Sequence, residues 1–182
     1  SQLDIDLKST AEDLSNKSKL LHNSQTPLYS FLLKIKLEKY YNILNSNGFD
    51  DIQLLIEQTK TQTGITDIQL KEIGIDIPGD RAKILIRLQE KAENFNYHIP
   101  KNVYYICNDL EHYLEDNHIQ KLYQWLKTIK LEKYLNNFIN GGYHCIELML
   151  VQMESKNPIT DILLKDDLGI DKIGYRARII NK

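Results

Sequence analysis

The sequence predicts an all-α protein: two small five-helix bundles joined by a partly helical connector. Three observations predict it. A long stretch of sequence occurs twice, with its residues in the same order. Within each copy apolar residues recur at three and four positions, the stripe of an amphipathic helix. Helix-start and helix-stop residues punctuate both copies, and no stretch alternates as a strand would.

The repeat is read directly. Phe31-Leu32-Leu33-Lys34-Ile35-Lys36-Leu37-Glu38-Lys39-Tyr40 returns as Trp125-Leu126-Lys127-Thr128-Ile129-Lys130-Leu131-Glu132-Lys133-Tyr134, an offset of 94. The offset holds through Gly48 and Gly142, and through Ile65-Thr66-Asp67-Ile68 and Ile159-Thr160-Asp161-Ile162. One extra residue then enters the second copy within Lys165-Asp166-Asp167-Leu168, and from Gly74 and Gly169 onward the offset is 95. Gly79, Arg81 and Ile84 thereby fall on Gly174, Arg176 and Ile179. So long a repeat, separated by dissimilar sequence, means two copies of one domain and not a solenoid of short units. The organisation read here is a polar segment 1–24, a first domain 25–93, a connector 94–118 and a second domain 119–182.

In the first copy, Leu28, Phe31, Leu32 and Ile35 form the stripe of a first helix. Leu37, Tyr40, Tyr41 and Leu44 give a second, stopped at Asn47-Gly48, where glycine supplies the left-handed conformation past a helix end. Asp50 with Gln53 is expected to cap a third helix, and Thr66 with Gln69 a fourth that ends at Gly74. Pro78-Gly79 opens a longer fifth helix through Ile84, Leu85 and Leu88, since proline is tolerated in a first turn. The second copy stops at Lys182, so its last helix is expected to be shorter. In the connector, Leu110, Tyr113 and Leu114 are spaced for a short helix. Tyr104-Tyr105 is expected to pack that connector against a domain, with modification the less favoured reading.

Composition narrows the function classes. The chain has 42% apolar and 26% charged residues and a net charge of −2, which suits an ordinary folded protein and argues weakly against a nucleic-acid binder. No apolar run approaches the roughly 20 residues of a membrane span, and Ser1 to Thr10 lack a secretory pattern. Cys107 and Cys145 are too few for a disulfide framework, so a cytoplasmic location is expected. There is no phosphate-cradling glycine loop, no His-Glu-x-x-His and no Cys-x-x-Cys. His144 beside Cys145 is better read as structure than as a nucleophile pair, because a lone cysteine commonly packs as a small core residue. No catalysis, cofactor or metal is expected.

The aligned residues resemble the sterile alpha motif (SAM) family. The first copy offers Phe31-Leu32, Ile35-Lys36-Leu37-Glu38-Lys39-Tyr40, Gly48-Phe49, Ile73-Gly74-Ile75 and Gly79-Asp80-Arg81-Ala82-Lys83-Ile84. The second offers Trp125-Leu126, Ile129 to Tyr134, Gly142-Tyr143, Leu168-Gly169-Ile170 and Gly174-Tyr175-Arg176-Ala177-Arg178-Ile179. Phe31 stands where the family usually has tryptophan, and Asp80 and Tyr175 where it often has histidine. The resemblance implies a protein–protein interaction module of a signalling or scaffold protein. In this family the surface around the last helix binds the mid-loop surface of another SAM domain.

Two sets of residues fit those surfaces. Asp50, Asp51 and Glu57 give the first copy an acidic mid-loop, and Lys172, Arg176 and Arg178 give the second copy a basic end-helix. Residues 119–182 hold 10 basic and 7 acidic side chains, against 9 and 10 in residues 25–93. Other SAM domains are therefore the expected partners, with a homo-oligomer if both surfaces stay free. If the modules fold together, the same two surfaces are expected to meet within one chain. RNA binding by the basic end-helix is the alternative, disfavoured because the cluster is small. Arg176 is expected to face solvent, Asp166-Asp167 to form an exposed turn, and Trp125 to be buried between the first and last helices of its domain.

Overall fold

The computed structural model describes residues 26–92 and 117–182. All regular structure among the described residues is helical. The first ten residues, Tyr104-Tyr105, Cys107 and the expected helix near Leu110 lie outside these ranges.

Module 1 follows the sequence closely. Thr26 caps α1 (Pro27–Leu33), its Oγ1 accepting from Tyr29 N at 3.2 Å. Lys36, at φ 54°, turns the chain into a 3-10 turn at Glu38–Tyr40, and α2 (Tyr41–Ser46) ends before Gly48 at φ 80°. The cap of α3 (Ile52–Lys60) is Asp51 and not Asp50: its Oδ1 accepts from Gln53 N and Leu54 N at 3.0 and 3.1 Å. Ile52 must be buried, and this places the extended cap residue directly before it. Thr66 and Gln69 form the expected reciprocal cap of α4 (Asp67–Glu72). Module 1 closes with α5 (Pro78–Lys91).

Module 2 repeats the path with α6 (His118–Thr128), a 3-10 turn at Glu132–Tyr134, α7 (Leu135–Asn140) and α8 (Ile146–Glu154). Lys130, the counterpart of Lys36, is again left-handed at φ 59°. The fourth helix differs. Its extra residue is absorbed by widening the helix into a π-turn, Leu163–Asp167. Last comes α9 (Ile173–Ile180), eight residues against fourteen in α5.

Trp125 corrects an expectation. It is only half-buried at the edge of the core, while the deep aromatic positions of module 2 are Phe138 and Tyr143, both 0% exposed. The buried stripe of α6 runs through Leu122 and Leu126, and a residue between them sits on the shoulder of that stripe.

The two modules pack together. Pro78 through Ile86, Leu88 and Gln89 are all buried, so α5 is enclosed along most of its length. One side faces the core of module 1 through α3 and α4, and the other lies on α8 of module 2.

Candidate protein-interaction surfaces

The contact between modules is built on three glycines and one carboxylate. Gly79 N, in the first turn of α5, donates to Gly141 O at 2.8 Å. A Cβ at Gly79 would lie 2.4 Å from Gly142 O and 2.5 Å from Gly142 C, so only glycine permits this backbone approach. Arg81 supplies the charge. Its Nε donates to Asp67 at 2.8 Å and its Nη1 to the carbonyls of Ile75 and Asp76 at 3.0 and 2.9 Å, all within module 1. The remaining Nη2 crosses to Asp167 at 2.6 Å, and Lys71 Nζ reaches the other oxygen of Asp167 at 2.5 Å. Burial disfavours the charged form of Arg81, but its bonds and attraction to Asp67 and Asp167 outweigh this and raise its pKa. At the far end, Lys156 N donates to Gln89 Oε1 at 3.1 Å and Lys156 Nζ to Thr59 O at 2.6 Å.

Asp167 is therefore not part of an exposed turn. Its side chain is 8% exposed, whereas Asp166 beside it faces solvent. The π-turn made by the extra residue carries Asp167 into the contact. This also corrects the expected pairing of surfaces. The modules do fold together, but through the end-helix of module 1 and the mid-loop of module 2, the reverse of the charge-based expectation. Arg81 and Lys71 find a carboxylate there that the inserted residue provides.

Module 2 copies the gripping half of this arrangement and leaves it open. Arg176 is buried, not solvent-facing: Nε donates to Asp161 at 2.7 Å and Nη1 to the carbonyls of Ile170 and Asp171 at 3.0 and 2.6 Å. These are the repeats of the three partners of Arg81. The bond to Asp161, helped by the nearby acids and opposed by burial, raises its pKa. No carboxylate takes its Nη2 among the described residues. A Cβ at Gly174 would meet no heavy atom within 4 Å, and Ile173, the counterpart of buried Pro78, is 73% exposed.

Around this apex the charge differs from module 1. There Asp80 accepts from Tyr40 Oη at 2.8 Å and pairs with Lys39 and Lys83 at 2.9 and 3.3 Å. Burial pushes the Asp80 carboxyl up, but Lys83, Lys39 and the Tyr40 hydroxyl together hold it below its ordinary range. In module 2 Tyr175 replaces Asp80, and Lys133, Lys172 and Arg178 gather over its ring at 5.0, 5.3 and 5.1 Å from the centroid. The three cations have no carboxylate partner among the described residues. Tyr134 is half-buried and meets Tyr175 edge-on.

The acidic set lies apart from this patch. Asp50, Asp51 and Glu57 are exposed on the mid-loop of module 1, where Asp51 is engaged as a helix cap and Glu57 pairs with Lys60 at 2.8 Å. Cys145, beside His144, is fully buried as the residue before α8. Among the described residues no group of three metal-ligating side chains occurs, and no helix is long and apolar enough to cross a membrane.

Comparison with known proteins agrees with the doubled geometry. The family model for the SAM domain (sterile alpha motif) matches residues 21–91, and a second model of the same description matches 117–182. The chain belongs to the SAM family. Its tandem is similar, at 29% identity over 152 residues, to ankyrin repeat and sterile alpha motif domain-containing protein 1B of Danio rerio. It is 26% identical over the same length to ankyrin repeat and SAM domain-containing protein 1A of Homo sapiens. Each alignment covers 82% of this chain but only 10% and 11% of the relatives, so the chain spans about a tenth of their length. No solved structure matches the chain significantly. SAM membership makes this tandem a protein-interaction module.

Sequence reasoning missed Lys71, Gly79 and Asp167 as contact residues. One signal could have found Asp167, the change of repeat offset from 94 to 95 at Lys165–Leu168.

Proposed function

We propose that the tandem is a non-catalytic docking module whose basic end-helix surface on module 2 binds the acidic mid-loop of another SAM domain. The partner is a second copy of this chain or a SAM domain of a different protein. One observation carries the reading. Arg81 hands its outer nitrogen to a carboxylate across the module contact, and its repeat Arg176 presents the same nitrogen with none among the described residues. Lys172 and Arg178 add charge beside it, and exposed Ile173 offers an apolar centre to a charged rim. Asp50, Asp51 and Glu57 form the complementary acidic face. The contact joins unlike surfaces, so it propagates or closes into a ring. A cytoplasmic signalling or scaffold protein is the setting that suits such a module, and the relatives' names join SAM domains to ankyrin repeats.

RNA binding is the second reading, favoured by one feature: three cations gathered on the Tyr175 ring. Sedimentation over a concentration series tests both. Lys172→Glu and Asp50→Lys should each weaken association, and the double variant should restore part of it. Association unchanged in both single variants would overturn the assignment. Binding of an RNA hairpin that Lys172→Glu abolishes, with no self-association at any concentration, would favour the second reading.

A further inference from the structure

We infer that the in-chain contact holds back a second mode of assembly, in which the mid-loop of module 2, once released, takes the α9 end-helix of another copy. This rests on the reading of the α9 surface as a docking face, and it names the partner.

The argument is that one mid-loop has two suitors. Asp167 is held by Lys71 and by Arg81 Nη2, with Gly79 in backbone contact beside them. Each of these has its repeat in module 2, at Lys165, Arg176 and Gly174. Arg176 is braced by the same three kinds of bond as Arg81, which leaves the same nitrogen outward. Gly174 is open where Gly79 is covered. The α9 surface therefore meets the requirements that α5 meets, and nothing among the described residues occupies it.

The mid-loop of module 1 is a poorer match. It has Gly48 in the left-handed conformation of Gly142, but the extra residue that forms the π-turn and delivers Asp167 is missing. The carboxylate that fits the α9 surface is thus the one that α5 already covers. Joining two modules by a connector raises the effective concentration of the in-chain pair to the millimolar range, so α5 wins while the modules stay closed. Opened modules reverse the outcome. Both surfaces then lie on module 2, and a contact between unlike faces of one module extends from copy to copy.

The test uses the whole chain. Gly79→Ala puts a methyl against the Gly142 backbone, and the nearest atoms it meets all belong to module 2, so module 1 keeps its own packing. Lys71→Glu, which sets a like charge against Asp167, is the second way to open the pair. Sedimentation velocity should show both variants associating at concentrations lower than wild type by on the order of tenfold or more, the advantage removed with the in-chain competitor. Adding Lys165→Glu, Gly174→Ala or Asp167→Asn should abolish the new association, and adding Asp50→Lys should leave it. Opened variants, verified by loss of protection of the backbone amide at position 79 with helical content retained, that associate no more than wild type would overturn the inference. So would an association indifferent to Lys165 and Gly174. If Lys172→Glu still alters the association of wild type in those cases, the docking face stands and only the competition falls. If Lys165→Glu, Gly174→Ala and Lys172→Glu change nothing in any background, both fall.

Discussion

Replacing Gly79 by alanine should part the two modules while leaving each folded. The methyl carbon would sit 2.4 Å from a carbonyl oxygen and 2.5 Å from its carbon, about 1 Å inside ordinary contact, and both atoms are backbone. Neither can rotate away, so the modules must shift. Overpacking of this kind costs about 1–3 kcal/mol. The shift also breaks the hydrogen bond from Gly79 N to Gly141 O, worth about 1 kcal/mol net. The contact should therefore lose about 2–4 kcal/mol, a large part of what holds two small domains together. Gly174→Ala is the control. It occupies the repeat position with no atom within 4 Å, and alanine in place of helical glycine should be neutral or stabilising by up to about 1 kcal/mol. Calorimetry reads the difference. Wild type and Gly174→Ala should unfold with coupled modules, and Gly79→Ala should show two separable transitions. Equal unfolding of the two alanine variants would refute the reasoning.

Three further outcomes follow from the same geometry. Asp167→Asn keeps the shape but weakens the bonds to Arg81 and Lys71, and should cost about 1–3 kcal/mol in the module contact, measured by urea unfolding. Asp80 has a pKa below its ordinary value, so its contribution is present above the unfolded pKa of about 3.9 and is lost as pH falls through the lower folded value. Asp80→Asn should accordingly flatten the decline of stability below about pH 4, and an unchanged acid limb would contradict the pairing with Lys39 and Lys83. Phe138→Ala, which empties a fully buried site, should cost about 3–5 kcal/mol, and half-buried Trp125→Ala about half that. Equal losses in a denaturant series would place Trp125 back in the core.

The architecture was legible because both copies carry the same local signals. Thr66 and Gln69 cap a helix, Gly48 ends one, and Pro78 starts one, each through chemistry confined to a few residues. The placement of Arg176 was not legible in that way. Helical spacing puts it beside Ile179 but says nothing of Asp161 and the two carbonyls, which arrive from other elements and bury the guanidinium. For the contact within the chain, charge counting chose the wrong pair of surfaces for the same reason. It weighed the many acids of module 1 against the many bases of module 2, whereas the contact turns on Asp167 and on backbone room at Gly79. Asp50, Asp51, Lys172 and Arg178 remain exposed, so they are the residues by which the free ends can be tested.

Amide hydrogen exchange at Gly79 and Gly174 tests most directly whether one end-helix is engaged and its repeat is free. Both amides lie in the first turn of a helix, where no backbone carbonyl of that helix can receive them. Gly79 N donates to Gly141 O of the other module. In the monomeric chain Gly79 should therefore exchange slowly and Gly174 at nearly the rate of an open peptide. Equally fast exchange at both would mean the modules are not joined through α5, and slow exchange at both would mean the α9 surface is already covered.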